Sequence, residues 1–248
     1  MRAILLAFFL TLTGCATVPS DPIKRGEAVY QRHQAAKPYP ASAPRQIDKA
    51  IAFFDADFDG LQAYLASLPA PATLGAELER RTVLEQFGRA VIVVRGPRNL
   101  GGHEEQFYDA VWGKVTPVDE ANTARVKALL ASREWFDDSK DGKGAEAYGW
   151  LIVQHSDADP DFQRLVLARM EEARKHRNIR MANYALLWDR VAVKDKRPQR
   201  YGTQVTCKNG EWEAIGGVED RAGLDARRVD VGLTSWADYV KGISAFLC

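Results

Sequence analysis

The stretch Gly149–Gln163, GWLIVQHSDADPDFQ, ends an apolar run in Gln154-His155 and follows it with three carboxylates, Asp157, Asp159 and Asp161. An imidazole beside carboxylates is the raw material of a general base or a metal site. The spacing argues against the metal. Asp157, Asp159 and Asp161 open like a calcium-binding EF-hand loop, but Phe162 takes the place of the turn glycine and Ala168 that of the last ligand. Asp55, Asp57, Asp59 and Gly60 fail in the same way, with Ala66 where the bidentate Glu should stand.

Other motifs fail on chemistry too. His103-Glu104 starts like a zinc-protease helix, yet Phe107 occupies the second ligand position. Gly96 and Gly101 have phosphate-loop spacing, but Gly102 and His103 replace the Lys and Ser/Thr that would hold phosphate and magnesium. No G-x-S-x-G elbow and no S-x-x-K pair occurs. No metal and no cofactor is expected.

The elements that must position these residues read as mainly α: a single multi-helix domain with one small C-terminal β-hairpin. Ile47, Ile51, Phe54, Phe58, Leu61, Leu65 and Leu68 recur at helical spacing, with an interruption expected near Asp59-Gly60. A second helix is predicted from Leu74 to Val93, ended by Gly96-Pro97. A third is predicted over Asp119–Ser132, with Val126, Leu129 and Leu130 on one face and Asp119 as its N-cap.

Ala145–His155 follows, with Tyr148, Leu151, Ile152 and His155 forming one stripe that points inward. Asp159-Pro160 reads as N-cap and first turn of the next helix, marked by Phe162, Leu165, Val166 and Met170. That helix runs into a basic stretch, Arg174, Lys175, His176 and Arg177, which suits a helix C-terminus. Met181–Arg190 is one more helix.

The period then changes. Tyr201, Thr203, Val205 and Cys207 alternate, Asn209-Gly210 is a type I′ turn, and Trp212 and Ala214 resume, so that Cys207 faces Trp212. A last helix spans Ser235–Leu247, and no internal repeat is visible.

Several polar signatures occur in order: Glu85-Gln86-Phe87-Gly88-Arg89, Asp119 with Asn122-Thr123, Gln154-His155 with Asp159-Pro160-Asp161-Phe162-Gln163, Asp189-Arg190-Val191, and Pro198-Gln199-Arg200-Tyr201-Gly202-Thr203-Gln204. Together with the tail Asp225-Ala226-Arg227-Arg228 they resemble an uncharacterised bacterial family known only as a domain of unknown function. The resemblance covers about residues 77–240 and implies a shared fold and a shared polar pocket, with no activity attached.

Read physically, His155 ends an apolar stripe at a helix C-terminus, where it could act as a general base. Asp189 or Glu85 would orient it. Arg190 or Arg89 could hold an anion through a guanidinium fork. Gln154, Gln163, Gln199, Tyr201 and Gln204 are the remaining candidates for positioning a substrate. Each has a plain structural counterpart, because an inward His at a helix end commonly bonds a carbonyl and Asp–Arg pairs commonly knit helices. Two functions stay open: a binding or assembly role, or a metal-independent hydrolase or transferase based on His155.

The N-terminus gives an address. MRAILLAFFLTLTGC has a cationic start, an apolar run of about ten residues, too short to span a bilayer, and a lipobox-like Leu12-Thr13-Gly14-Cys15. Residues 1–14 are read as a lipoprotein signal peptide, Cys15 as the lipidated residue, 15–45 as a flexible tether with a short helix at Ile23–Ala36, and 46–248 as the globular domain. Ala16 instead of aspartate favours the outer membrane, with the protein facing the periplasm. The expected partners are the membrane, through the lipid, and an envelope ligand or protein.

Without Arg2 the chain carries 33 basic and 33 acidic side chains, a balance that excludes nucleic-acid binding through a broad cationic face. Cys207 and Cys248 remain for one disulfide in an oxidising compartment.

Overall fold

The computed structural model describes residues 44–95, 102–176 and 179–243. The segment expected to hold the signal, Cys15 and the tether lies outside these, as do Gly96-Pro97, Gly101, Arg177 and Cys248. Among the described residues there are nine helices: α1 (Pro44–Ser67), α2 (Leu74–Arg95), α3 (Glu104–Leu130), α4 (Asp138–Asp141), α5 (Ala145–His155), α6 (Pro160–Ala173), α7 (Met181–Lys194), α8 (Leu224–Asp230) and α9 (Trp236–Ile243). The strands β1 (Val205–Lys208) and β2 (Glu211–Ala214) form one antiparallel hairpin. The mainly helical reading with a C-terminal hairpin is therefore correct. No described helix is long and apolar enough to cross a membrane.

Contacts group the chain into two compact units interleaved in sequence. One comprises residues 44–126 and 136–152; the other comprises 127–135 and 153–243.

In the first unit the helical period of α1 buries Ile47, Phe54, Phe58 and Leu61 against Phe87 of α2 and Phe107, Val111 and Val115 of α3. Phe54 sits 5.6 Å from Phe58, 6.2 Å from Phe87 and 6.4 Å from Phe107, centroid to centroid. Each such ring contributes about 1.5–3 kcal/mol by leaving water. The interruption expected at Asp59-Gly60 does not occur. Gly60 has open space around its Cα, so it only weakens the helix, and Asp59 lies outside the core, bonded to Lys114 at 2.7 Å. Helix α2 approaches α3 at Gly88, where a Cβ would overlap Val115 Cγ2.

Helix α3 corrects the sequence reading more strongly. It starts at Glu104, carries Pro117 in its interior, and places Asp119 in mid-helix instead of at an N-cap. Proline removes one helical hydrogen bond and usually marks a boundary. Here the flanking Phe107, Val111, Val115 and Val126 are all fully buried, and that packing carries the helix through the defect.

In the second unit Asp159 caps α6, accepting from Phe162 N at 3.0 Å, with Pro160 in the first turn, as the sequence indicates. Leu165 is the exception on that helix: it is 49% exposed, while Phe162, Val166 and Met170 are buried. Helix α7 runs one turn beyond Arg190, to Lys194.

The hairpin has the predicted register, Cys207 opposite Trp212. Its turn has φ of 53° at Asn209 and 83° at Gly210, as a type I′ turn needs. Tyr201 and Thr203 precede the strand instead of belonging to it. Val205 and Trp212 pack with Ile243, Trp236 and Tyr239, so α9 covers one face of the hairpin.

Candidate functional site

The candidate residues fall into two polar clusters, one in each unit, and are almost all buried.

In the first unit, helical spacing puts Glu85 and Arg89 one turn apart on α2, facing Asp119 and Asn122 of α3. Arg89 forms a fork on Asp119, at 3.0 and 2.7 Å, and gives a further bond to the Glu85 carbonyl at 3.2 Å. The guanidinium that was expected to hold an outside anion is thus filled from within. Its carbon also lies 5.4 Å from the Trp112 ring centroid.

Asn122 Nδ2 donates to Glu85 Oε2 at 3.3 Å and to the Arg81 carbonyl at 3.1 Å. Glu85 is wholly buried. Burial pushes its carboxyl above the usual 4.5, against the charge of Arg89 and the hydrogen bonds of Asp119 and Asn122. Glu85 belongs to this unit, whereas His155 belongs to the other.

Beside this cluster α1, α2 and α3 leave an open groove of about 560 Å³. Phe58, Leu65, Leu84 and Val118 form its apolar wall; Arg80, Arg81 and Lys114 are its cations; Gly113, Pro117 and Asn122 complete one side. None of these except Asn122 stands in a recognisable motif. The cations read as ordinary solvated helix faces, so nothing short of the fold brings them together.

In the second unit the end of α5 supplies Gln154, His155 and Ser156, buried to 5%, 5% and 2% exposure. Arg190 of α7 binds Asp157 at 2.7 Å, and Lys194 reaches the Asp157 carbonyl at 3.3 Å. Burial pushes the Asp157 carboxyl up, but the opposing charges of Arg190, Lys194 and His155 outweigh it and hold it below the usual range.

The acidic run is thereby dispersed. Asp157 pairs with Arg190, Asp159 caps α6 and pairs with Lys127, and the exposed Asp161 pairs with Arg164. Among the described residues no three His, Cys, Asp or Glu side chains gather as a metal site.

Asp189 does not orient His155. Its Oδ1 accepts from the backbone N–H of Arg200 at 2.8 Å and Tyr201 at 3.1 Å, and its Oδ2 accepts from Thr203 at 2.7 Å. Burial pushes its carboxyl above the usual range against those donors. Gln199 is used in the same way. Its Nε2 donates to the carbonyls of Gln204 and Ile215, both at 2.7 Å, and its Oε1 accepts from Gln204 N at 2.8 Å. Gln204 turns its own amide to Thr203 Oγ1 at 3.3 Å.

Tyr201 packs edge-on against Trp188 at 6.3 Å, and its carbonyl accepts from Arg228 Nη1 at 2.6 Å. Arg228 is 1% exposed, also bonds the Thr234 carbonyl at 2.6 Å, and lies 4.6 Å from the Tyr239 ring. Sequence reasoning missed it as a key residue. Its signal was its place four residues after Leu224, on the buried face of a short helix.

Gln163 is anchored by its Nε2, which donates to the carbonyls of Val153 at 3.1 Å and Gln154 at 3.3 Å. That fixes its Oε1 as the atom left over. Gln154 Oε1, Gln163 Oε1 and Arg190 Nε are buried without a hydrogen-bond partner.

Cys207 is disulfide-bonded, and Cys248, its expected partner, lies outside the described residues.

No curated protein and no solved structure matches this chain. Residues 103–246, more than half of the chain, match DUF6624, a family of unknown function, and the chain belongs to that family.

Proposed function

We propose that this protein is a bacterial cell-envelope lipoprotein whose folded part binds a ligand without turning it over. The observation that carries the non-catalytic part is the fate of Asp189. A carboxylate that orients a general base must hydrogen-bond it, and the hydrogen bonds of Asp189 go to the backbone N–H groups of Arg200, Tyr201 and Thr203. Glu85, the other candidate, accepts from Asn122 Nδ2.

A binding role is supported by the open groove on α1–α3, whose size and mixture of apolar wall and few polar groups suit a small ligand. The envelope address rests on the N-terminal sequence, with Cys15 as the acyl acceptor and an outer-membrane, periplasm-facing destination.

Two measurements test this. In cells fed an alkyne-bearing palmitate, Cys15→Ser should abolish labelling, and persistent labelling would refute the anchor. The full chain extracted from membranes should carry a small molecule that is recovered chemically unchanged after prolonged incubation. Product formation that disappears in His155→Gln would refute the non-catalytic reading.

A second reading keeps His155 as the base of a metal-independent hydrolase or transferase. It is favoured by the three unpartnered buried atoms of Gln154, Gln163 and Arg190. A His155→Gln variant that melts like the wild type yet loses a hydrolytic activity would establish it.

A further inference from the structure

We propose that the groove on α1–α3 takes a single-chain anionic amphiphile, an acyl chain bearing a carboxylate or phosphate head. This rests on the binding role proposed above and names the class of ligand.

The apolar half of the site is an extension of the core. Phe58 belongs to the buried cluster, and Leu65, Leu84 and Val118 pack against it while still facing the groove. An alkyl chain laid there would trade water for an aliphatic wall.

The polar half is cationic. Among the described residues no acidic side chain lines the groove, whereas Arg80, Arg81 and Lys114 do. Lys114 is matched by Asp59 at 2.7 Å. Arg81 shares Glu77 with Arg125, at 2.9 and 2.8 Å, so two guanidiniums divide one carboxylate. Arg80 gives its hydrogen bond to the Pro69 carbonyl, which carries no charge, at 2.8 Å. The rim is therefore left with surplus positive charge, and a guanidinium fork suits a carboxylate or phosphate head.

The α3 side of the groove carries no side chain at Gly113. This glycine lines the groove, and a Cβ added there would meet nothing within 4 Å. Pro117 has no N–H to give to the Gly113 carbonyl one turn earlier, and glycine has no side chain to cover that oxygen. A volume of about 560 Å³ falls among small-molecule sites, while a docked helix would need a far larger surface.

The test uses the full chain in isolated membranes with three photoreactive probes: diazirine palmitic acid, diazirine lysophosphatidylglycerol and, as the neutral control, a diazirine monoacylglycerol. Labelled peptides are then mapped. At least one anionic probe should label α1–α3 about tenfold above the neutral one, equivalent to about 1.4 kcal/mol. Which of the two does so distinguishes a free fatty acid from a phospholipid-derived ligand.

Gly113→Leu, which adds an isobutyl group to the groove lining with no clash at its Cβ, should cut that labelling about tenfold or more. Arg80→Gln should reduce anionic labelling towards the neutral level while leaving the melting temperature unchanged. Equal labelling by all three probes, labelling unaffected by Gly113→Leu, or no labelling of α1–α3 would overturn the proposal. A different ligand recovered unchanged from the protein would leave the binding role standing. Probe turnover that is lost in His155→Gln would instead remove that role.

Discussion

Asp189→Asn separates a structural carboxylate from a catalytic one. In the wild type, Oδ1 accepts from Arg200 and Tyr201 N–H at 2.8 and 3.1 Å, and Oδ2 accepts from Thr203 N–H at 2.7 Å, with the residue fully buried. Asparagine keeps one oxygen, which can serve the first two donors. Its NH₂ then faces the third, donor against donor.

The loss is one charge-assisted bond, about 1.5–3 kcal/mol, together with a buried Thr203 N–H left unsatisfied, about 1–3 kcal/mol. Relief from burying a charge offsets part of this, because burial already pushes the carboxyl upward. A net destabilisation of about 2–4 kcal/mol follows, and Asp189→Ala, which orphans all three donors, should cost at least as much. Equilibrium urea unfolding of the full chain measures it, as a lower midpoint at unchanged slope. A change under about 1 kcal/mol would refute the structural reading, most sharply if ligand binding or an activity fell at least tenfold with it.

Gly88→Ala should destabilise by about 1–3 kcal/mol by overpacking, because its Cβ would collide with the buried Val115 side chain; a neutral result in thermal melts would contradict the close approach of α2 and α3. Glu77, pulled down to about 2 by hydrogen bonds from Arg125 and Arg81, contributes stability above its usual 4.5 that is lost as pH falls from 4.5 towards 2. Discounted for solvent screening this is about 1–2 kcal/mol, and Glu77→Gln should flatten that acid limb in pH-dependent unfolding. Glu85 has the opposite sign, being raised by burial, so Glu85→Gln should relieve a loss of stability that sets in as pH rises through 4.5. Unreduced peptide mapping should recover Cys207 joined to the C-terminal peptide, and reduction should cost about 2–4 kcal/mol; a Cys207 peptide free before reduction would refute the bond.

The sequence was most legible where one local rule acts alone. The Asp159-Pro160 cap, the Asn209-Gly210 turn and the Cys207–Trp212 register are decided by backbone chemistry within a few residues. It misled where packing overrides a local preference. Asp59-Gly60 reads as an interruption and Asp119 as a helix start, yet buried aromatic and branched side chains carry α1 past Gly60 and α3 past Pro117.

The candidate residues were legible as a class, since Glu85, Arg89, His155, Asp189, Gln199 and Gln204 are all buried. Their roles were not. Whether a buried carboxylate serves an imidazole or three amides depends on a loop 11 to 14 residues away, which carries no periodic signal. The family match also begins at 103 instead of near 77, so Glu85 and Arg89 lie outside it. The groove was invisible because its cations are divided between α2, with Arg80 and Arg81, and α3, with Lys114, each at an ordinary helix-surface position.

The most direct test of the account compares ligand occupancy in three forms of the full chain extracted from membranes: wild type, Gly113→Leu and His155→Gln. Native mass spectrometry reads the co-purifying molecule in each. The groove account predicts an occupied wild type, an emptied Gly113→Leu, and a His155→Gln that still carries its ligand unchanged. A Gly113→Leu form that stays loaded while His155→Gln is empty would contradict it.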